Sequence, residues 1–268
     1  PKMPEGMVFT SGIFWKTYKT ALAQIKDRNR MTASIVFFYK DRVYYGEIQS
    51  GQKFSIGSGK KDDIYIDDPV QLNLKWKNGG DLLSVTGRIG QIAGKAEAAM
   101  NRLTVLDEQT HAGIYAGPCT GMSGQSLRLP YNCVVRIGRS EKNDVVIHHP
   151  FVSGSHMVIR SESGIIRAED QDSTNGTYLN GKKISQARLR SGDVLQVMNV
   201  RIRLLNGALY FENAGNDLMI KELTDEALAY DISLGGKSPE APKFHRSPRT
   251  QEQLPTQPIV LASPPAKA

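Results

Sequence analysis

Two stretches decide how this 268-residue chain is read: IGRSEKNDVVIHHPFVSGSH, from Ile137 to His156, and EDQDSTNGTYLNG, from Glu169 to Gly181. Gly138-Arg139 ends an apolar run, Cys133 to Ile137, where a strand should hand over to a loop whose end can point a guanidinium outward. Ser153-x-x-His156 stands just ahead of a second strand-like run, Met157 to Ile159. Asp170 to Thr177, followed by Tyr178-Leu179-Asn180-Gly181, reads as two short segments joined by turn chemistry that Asn and Gly enter cheaply. Leu189-Arg190-Ser191-Gly192-Asp193 is another turn before a strand. Taken singly, an Arg after a Gly is a solvated charge, and Ser or Thr beside Asn-Gly is turn capping. Only the joint spacing, which fits one domain, points further.

Such a set suits a phosphate monoester. A phosphorylated hydroxyl carries between one and two negative charges at neutral pH and three strong acceptor oxygens, so its site needs a fixed cation and donors converging from separate loops. The four parts together resemble the fingerprint of the forkhead-associated (FHA) family. That resemblance implies recognition of phosphothreonine, with Arg139 as the cation, whose planar fork suits phosphate. Ser153 and Thr174 would supply hydroxyls and nearby backbone N–H groups, and Asn175 would hold the ligand's main chain. Gly138, His156, Gly176 and Asn180 are expected to be structural, tying loop to loop. One position departs from the family: Arg or Asn often follows the Ser of the second part, and here Gly154 does. One ligand contact is thereby in question; the phosphate cradle is not.

The stretch also repeats. FSIGSGKKDDIYIDDP, from Phe54, aligns without gaps on VRIGRSEKNDVVIHHP, from Val135, at an offset of 81 residues, matching Ile56 with Ile137, Gly57 with Gly138, Asp63 with Asp144 and Pro69 with Pro150. The first copy lacks the phosphate chemistry. Ser58 stands where Arg139 stands, Val70 to Leu74 holds no Ser-x-x-His, and no Asn-Gly-Thr follows. It is expected to be a degenerate FHA-like domain used for packing or docking. Gly57-Ser58-Gly59-Lys60 lacks the full phosphate-loop spacing and no helix pattern follows it, so no nucleotide site is expected there.

The net charge is +7. Residues 1–31 hold six Lys/Arg against two Asp/Glu and residues 237–268 five against two, which leaves 23 of each sign between. A neutral body with basic ends argues against a nucleic-acid reader, whose positive stripe would lie on the domain. It is compatible with an anionic membrane surface or with plainly solvated tails. Cys119 and Cys133 match no metal spacing and read as reduced small hydrophobes, and His148-His149 has no third ligand placed by spacing, so no metal and no cofactor are expected. No run of 18 apolar residues suggests a spanning helix. No catalytic His, Cys or paired-carboxylate arrangement stands out, so an enzyme is not expected. The chain begins at Pro1 and not at Met, which suggests a fragment of a longer protein.

The organisation expected is all-β: two tandem FHA-type β-sandwiches, a short N-terminal helix and a disordered Pro-rich C-terminal tail. Ile13, Phe14, Tyr18, Ala21, Leu22 and Ile25 recur at helical spacing within residues 1–31, giving an amphipathic helix that either packs on the adjacent domain or lies on a membrane. The degenerate domain spans 32–119, with an Ala-rich helical stretch expected near Ala93 to Met100. A Gly/Ser-rich linker follows at 120–125, then the FHA domain with the phosphate-site residues at 126–216. An extension at 217–236 and a basic, Pro-rich tail at 237–268 complete the chain.

This order, with Leu204-Leu205-Asn206-Gly207-Ala208-Leu209-Tyr210-Phe211-Glu212-Asn213-Ala214-Gly215-Asn216 and the Phe244-His245-Arg246-Ser247-Pro248-Arg249 tail, resembles the N-terminal region of the EssC family, the membrane-bound FtsK/SpoIIIE-type ATPases of type VII secretion systems. The resemblance implies a cytosolic protein-interaction region on the cytoplasmic side of the cell membrane. Its partner would be a phosphothreonine-containing protein or another secretion-system subunit. It also implies no nucleic acid, and a membrane met only through missing downstream parts or the basic tail. Two functions stay open: phosphothreonine capture by the second domain, or a phosphate-independent scaffold in which the pocket is vestigial.

Overall fold

The structure is a computed structural model and describes residues 31–77, 80–215 and 218–223. The helix expected within residues 1–31, the 237–268 tail and all but the start of the 217–236 extension lie outside them. The described chain is all-β, as expected, with no helix among the described residues.

The first module runs through β1 (Thr32–Tyr39), β2 (Arg42–Gln49), β3 (Lys53–Gly57), β4 (Ile64–Tyr65), β5 (Val70–Trp76), β6 (Leu82–Ile89), β7 (Ile92–Ala99), β8 (Arg102–Asp107) and β9 (Ala112–Pro118). The second runs through β10 (Met122–Arg128), β11 (Cys133–Gly138), β12 (Val145–Val146), β13 (Met157–Glu162), β14 (Ile165–Asp170), β15 (Thr177–Leu179), β16 (Lys182–Ile184), β17 (Gln186–Leu189), β18 (Val194–Val197), β19 (Val200–Leu205) and β20 (Ala208–Glu212), with β21 (Met219–Ile220) returning to its edge. Each module packs one sheet on another. A five-stranded sheet, β4-β3-β5-β6-β7, covers the β2-β1-β9-β8 half of a ten-stranded sheet. A six-stranded sheet, β17-β14-β13-β11-β12-β21, covers the other half, β10-β20-β19-β18-β15-β16.

The sequence repeat is a structural one. In both copies the Gly-ended strand pairs in parallel with a two-residue strand eight residues on, Ile56 with Ile64 and Ile137 with Val145. The aligned aspartates make the same bond: Asp63 Oδ2 accepts the Ser55 N–H at 2.7 Å, and Asp144 Oδ2 accepts the Arg136 N–H at 2.7 Å. The aligned isoleucines donate alike, Ile66 to the Gly57 carbonyl and Ile147 to the Gly138 carbonyl. The copies part after the shared proline. Pro69 leads straight into β5 at Val70, whereas Pro150 is followed by residues 151–156 before β13 begins at Met157. Ser153 and His156 lie in that inserted loop.

One sheet serves both modules. It is continuous because β16 pairs with β2 at Lys182 and Arg42, flanked by Val43 N–H to the Gly181 carbonyl and Lys183 N–H to the Asp41 carbonyl, each 2.8 Å. This explains why β1 is apolar on both faces, unusual for an antiparallel strand with one solvated side. Ala33, Ile35, Phe37 and Tyr39 face the first core, while Val36 and Phe38 join Val43, Tyr115, Tyr178 and Met198 in a second apolar layer between the modules. Full burial of a side chain such as Phe38 contributes about 1.5–3 kcal/mol. Asn199 Nδ2 donates across this layer to Ser34 Oγ at 3.3 Å and to the Pro118 carbonyl at 3.2 Å, while its Oδ1 is buried with no hydrogen-bond partner among the described residues. Asn213 Nδ2 donates to Tyr45 Oη at 2.8 Å.

Two expectations are corrected. Residues 92–99 form β7, not an Ala-rich helix, pairing with β6 along its whole length from Ile89–Ile92 to Leu82–Ala99. Alanine favours helices, but Ala96 and Ala98 are buried while Lys95 and Glu97 are exposed, and this period-two pattern is that of a half-buried strand. The expected linker at 120–125 is also built into the fold. The Thr120 and Gly121 N–H groups both donate to Asn213 Oδ1 at 3.0 Å, and β10 begins at Met122, opposite Glu212. Gly and Ser there serve an irregular edge strand and not a free connection.

Candidate functional site

Three loops at one end of the second module meet: residues 139–144 after β11, 148–156 before β13, and 171–176 between β14 and β15. The first two are stitched by main chain, with Arg139 N–H to the Ser153 carbonyl at 2.9 Å and Ser140 N–H to the Gly154 carbonyl at 3.0 Å. The third joins through Ser153, whose Oγ accepts the Thr174 N–H at 3.0 Å and lies 3.4 Å from Thr174 Oγ1. Arg139, Ser153 and Thr174, named from sequence, thus stand side by side.

Arg139 is exposed, and its Nε donates to the Val152 carbonyl at 3.1 Å. That bond aims the guanidinium and uses one of its five N–H groups, leaving the terminal fork available. Among the described residues no carboxylate forms an ion pair with it, whereas Arg136, Arg160, Arg167, Arg201 and Arg203 all have one. Asn175 differs from the expectation. Its Nδ2 donates to the Phe151 carbonyl at 2.7 Å, so part of the carboxamide braces the loop instead of facing outward. Gly154 is exposed, and a Cβ there would meet only the Ser140 Cβ at 4.0 Å, so packing does not demand glycine at the departing position.

Gly138, His156 and Gly176 lie within or beside these loops, and Asn180 lies in the turn after β15. His156 is fully buried; its Nδ1 accepts the Ser153 N–H at 3.1 Å, which assigns the proton to Nε2, 3.3 Å from the Gly176 carbonyl it then bonds. Both ring nitrogens are thus spent on main chain, and Ser153 Oγ has no imidazole base. Asn180 and Gly181, at φ 48° and 82°, make the β15–β16 turn. Asn180 Nδ2 donates to Asp193 Oδ1 at 2.8 Å, and its Oδ1 accepts the Val194 N–H at 3.0 Å. Gly138 admits a close approach: a Cβ would lie 2.4 Å from the Gly154 carbonyl oxygen.

Sequence reasoning missed two supports. Buried Asn143 donates through Nδ2 to the Ser140 and Gly154 carbonyls, each at 2.7 Å, closing the first loop on the second. The repeat carried a signal, since Asn143 aligns with Asp62, whose carboxylate accepts the Gly59 N–H at 2.8 Å. Asp170 is the other: Oδ1 accepts the Ser173 hydroxyl at 2.5 Å and the Thr177 hydroxyl at 2.6 Å, and Oδ2 accepts the Ser173 N–H at 2.9 Å.

Burial holds the imidazoles of His149 and His156 below the ordinary value of 6.5, that of His149 at about 4. Each folds as the neutral base, so the unfolded chain binds protons that the native state refuses. Their stabilisation is complete above about pH 6.5 and is lost as pH falls towards 4. The thermal midpoint should therefore fall between pH 7 and pH 5. A flat profile over that range would contradict the buried, neutral placement.

Residues 135–198 match the family model of the FHA domain. The chain is 36% identical over 75 residues to the ABC transporter ATP-binding/permease protein Rv1747 of Mycobacterium tuberculosis, covering 28% of this chain and 9% of that protein. It is 30% identical over 96 residues to the glycogen accumulation regulator GarA of the same organism, covering 36% of this chain and 59% of GarA. Among solved structures, the N-terminal FHA domain of EssC, a component of the bacterial type VII secretion apparatus, is similar in fold, with a TM-score of 0.54 at 12% identity over 70% of this chain and 95% of that one. The chain spans less than two thirds of these curated relatives. An FHA domain is a protein-interaction module.

Proposed function

We propose that this FHA domain binds a phosphothreonine segment of a partner protein through Arg139, Ser153 and Thr174. The observation that carries the reading is the unpaired, aimed guanidinium of Arg139 beside two hydroxyls from separate loops. Such a group of donors suits an anion with three acceptor oxygens, and charge-assisted bonds are the strong ones. The preference for threonine is what the FHA likeness implies. Asn175 keeps its Oδ1 for the ligand's main chain, with its Nδ2 already on Phe151. The first module, lacking the inserted loop and with Ser58 in place of the arginine, is a packing module.

In the same reading the chain is the cytosolic interaction region of an EssC-like secretion ATPase at the inner face of the cell membrane. Its phosphorylated partner is then another subunit of that machine. The fold likeness to EssC supports this, as do the basic ends of the sequence. A phosphate-independent scaffold is the second reading, favoured by the inward turn of Asn175 and by Gly154. A titration separates them. A phosphothreonine peptide pool should bind the chain and its unphosphorylated counterpart should not; equal binding of both would leave only the scaffold.

A further inference from the structure

The phosphate loops are not held by the second module alone. Tyr115, on β9 of the first module, is 1% exposed, and its Oη lies 2.9 Å from His149 Nε2. His149 Nδ1 accepts the Phe151 N–H at 3.3 Å, so the proton sits on Nε2 and is donated to the phenol oxygen. The Tyr115, His149 and Phe151 rings close a triangle with centroids 5.5, 5.8 and 5.9 Å apart. The next links reach the site. The Phe151 carbonyl holds Asn175, the Val152 carbonyl aims Arg139, and Ser153 follows. Gly117 makes room for the phenol, since a Cβ there would lie 2.5 Å from Tyr115 Oη. In the first copy the residue aligned with His149 is Asp68, which pairs with Lys40 at 2.7 Å within its own module. The tyrosine strut therefore belongs to the phosphate-site copy, although the other copy supplies it.

We propose that Tyr115 is a positioning residue for the phosphate site, so that the module without a site sets the affinity of the module that has one. This rests on the phosphothreonine reading above. Ordering the loop before the ligand arrives removes part of the cost of binding, and loss of the strut returns that cost.

The test is Tyr115→Phe in the full chain, which keeps the ring in the apolar layer and removes one oxygen. Affinity is read by phosphorus NMR and by anisotropy with the phosphothreonine peptide pool, and loop order by the amide signals of Phe151 and Thr174. Affinity should fall about three- to tenfold, the scale of one hydrogen bond, with both amide signals displaced. Val85→Ala, in the first module's own core on the five-stranded sheet that does not carry Tyr115, controls for general loosening and should leave affinity unchanged while lowering the thermal midpoint. Wild-type affinity in Tyr115→Phe would overturn the strut and leave the phosphate reading standing, and so would an equal loss in Val85→Ala. Failure of the unaltered chain to bind any phosphopeptide would overturn both.

Discussion

Arg139→Ala should weaken phosphothreonine-peptide binding at least tenfold and erase the difference between phosphorylated and unphosphorylated peptides, with an unchanged far-UV spectrum and thermal midpoint. Arg139 is exposed, and its one side-chain bond is to the Val152 carbonyl, so its removal leaves no buried charge behind. What disappears is the cation facing the ligand. Each charge-assisted bond contributes roughly 1.5–3 kcal/mol, and about 1.4 kcal/mol is tenfold in affinity. Arg139→Lys should fall between, because an ammonium keeps the charge but not the two-pronged fork. Isothermal calorimetry with a single phosphopeptide reads both variants. Undiminished binding by Arg139→Ala would assign the recognition to some other surface and leave the three converging loops without a ligand.

Much of this site was legible because its parts are local. Turns such as Asn180-Gly181 announce themselves by residue type, and the repeat showed which features serve the fold and which the site. Whatever both copies share, such as the parallel strand pairing at Gly57 and Gly138 or the main-chain bonds of Asp63 and Asp144, is architectural. Whatever only one copy has, the six residues after Pro150 and the arginine, is where a function was added. The misreadings have the opposite character. Residues 92–99 were judged by the helix preference of alanine, yet eight paired positions along β6 decide the outcome. The 120–125 stretch was judged by composition, and its two amides are held by Asn213, more than 90 residues away. Tyr115 and His149 are 34 residues apart and carry no common pattern. The apolar second face of β1 is carried by the unbroken run from Ile35 to Tyr39, yet that run alone does not say which module covers it.

Gly138→Ala should damage fold and site together, and the paired variant Gly57→Ala shows why. Neither glycine needs a left-handed backbone, so the effect is one of space. At Gly138 a new Cβ would lie 2.4 Å from the Gly154 carbonyl oxygen and 2.9 Å from the Ser153 carbonyl oxygen, both main chain. Those carbonyls accept Ser140 N–H, Arg139 N–H and the Asn143 carboxamide, the bonds that hold the first loop to the second. The methyl can be housed only by pushing 153–154 away, which parts Ser153 from Thr174 and turns Arg139. Overpacking of this kind costs about 1–3 kcal/mol, and at this chain length each kcal/mol lowers the midpoint by about 2–4 °C. At Gly57 the two closest atoms are the ends of side chains, Asp62 Oδ2 at 2.7 Å and Gln71 Oε1 at 3.0 Å, which can swing aside, with the Val70 carbonyl also at 3.0 Å. Gly57→Ala should therefore lower the midpoint less and leave phosphopeptide affinity intact, while Gly138→Ala lowers both. Equal midpoint losses with affinity retained in the Gly138 variant would mean that the site tolerates displacement of the 153–154 main chain, and that the hydroxyl of Ser153 is not among the groups that hold the phosphate.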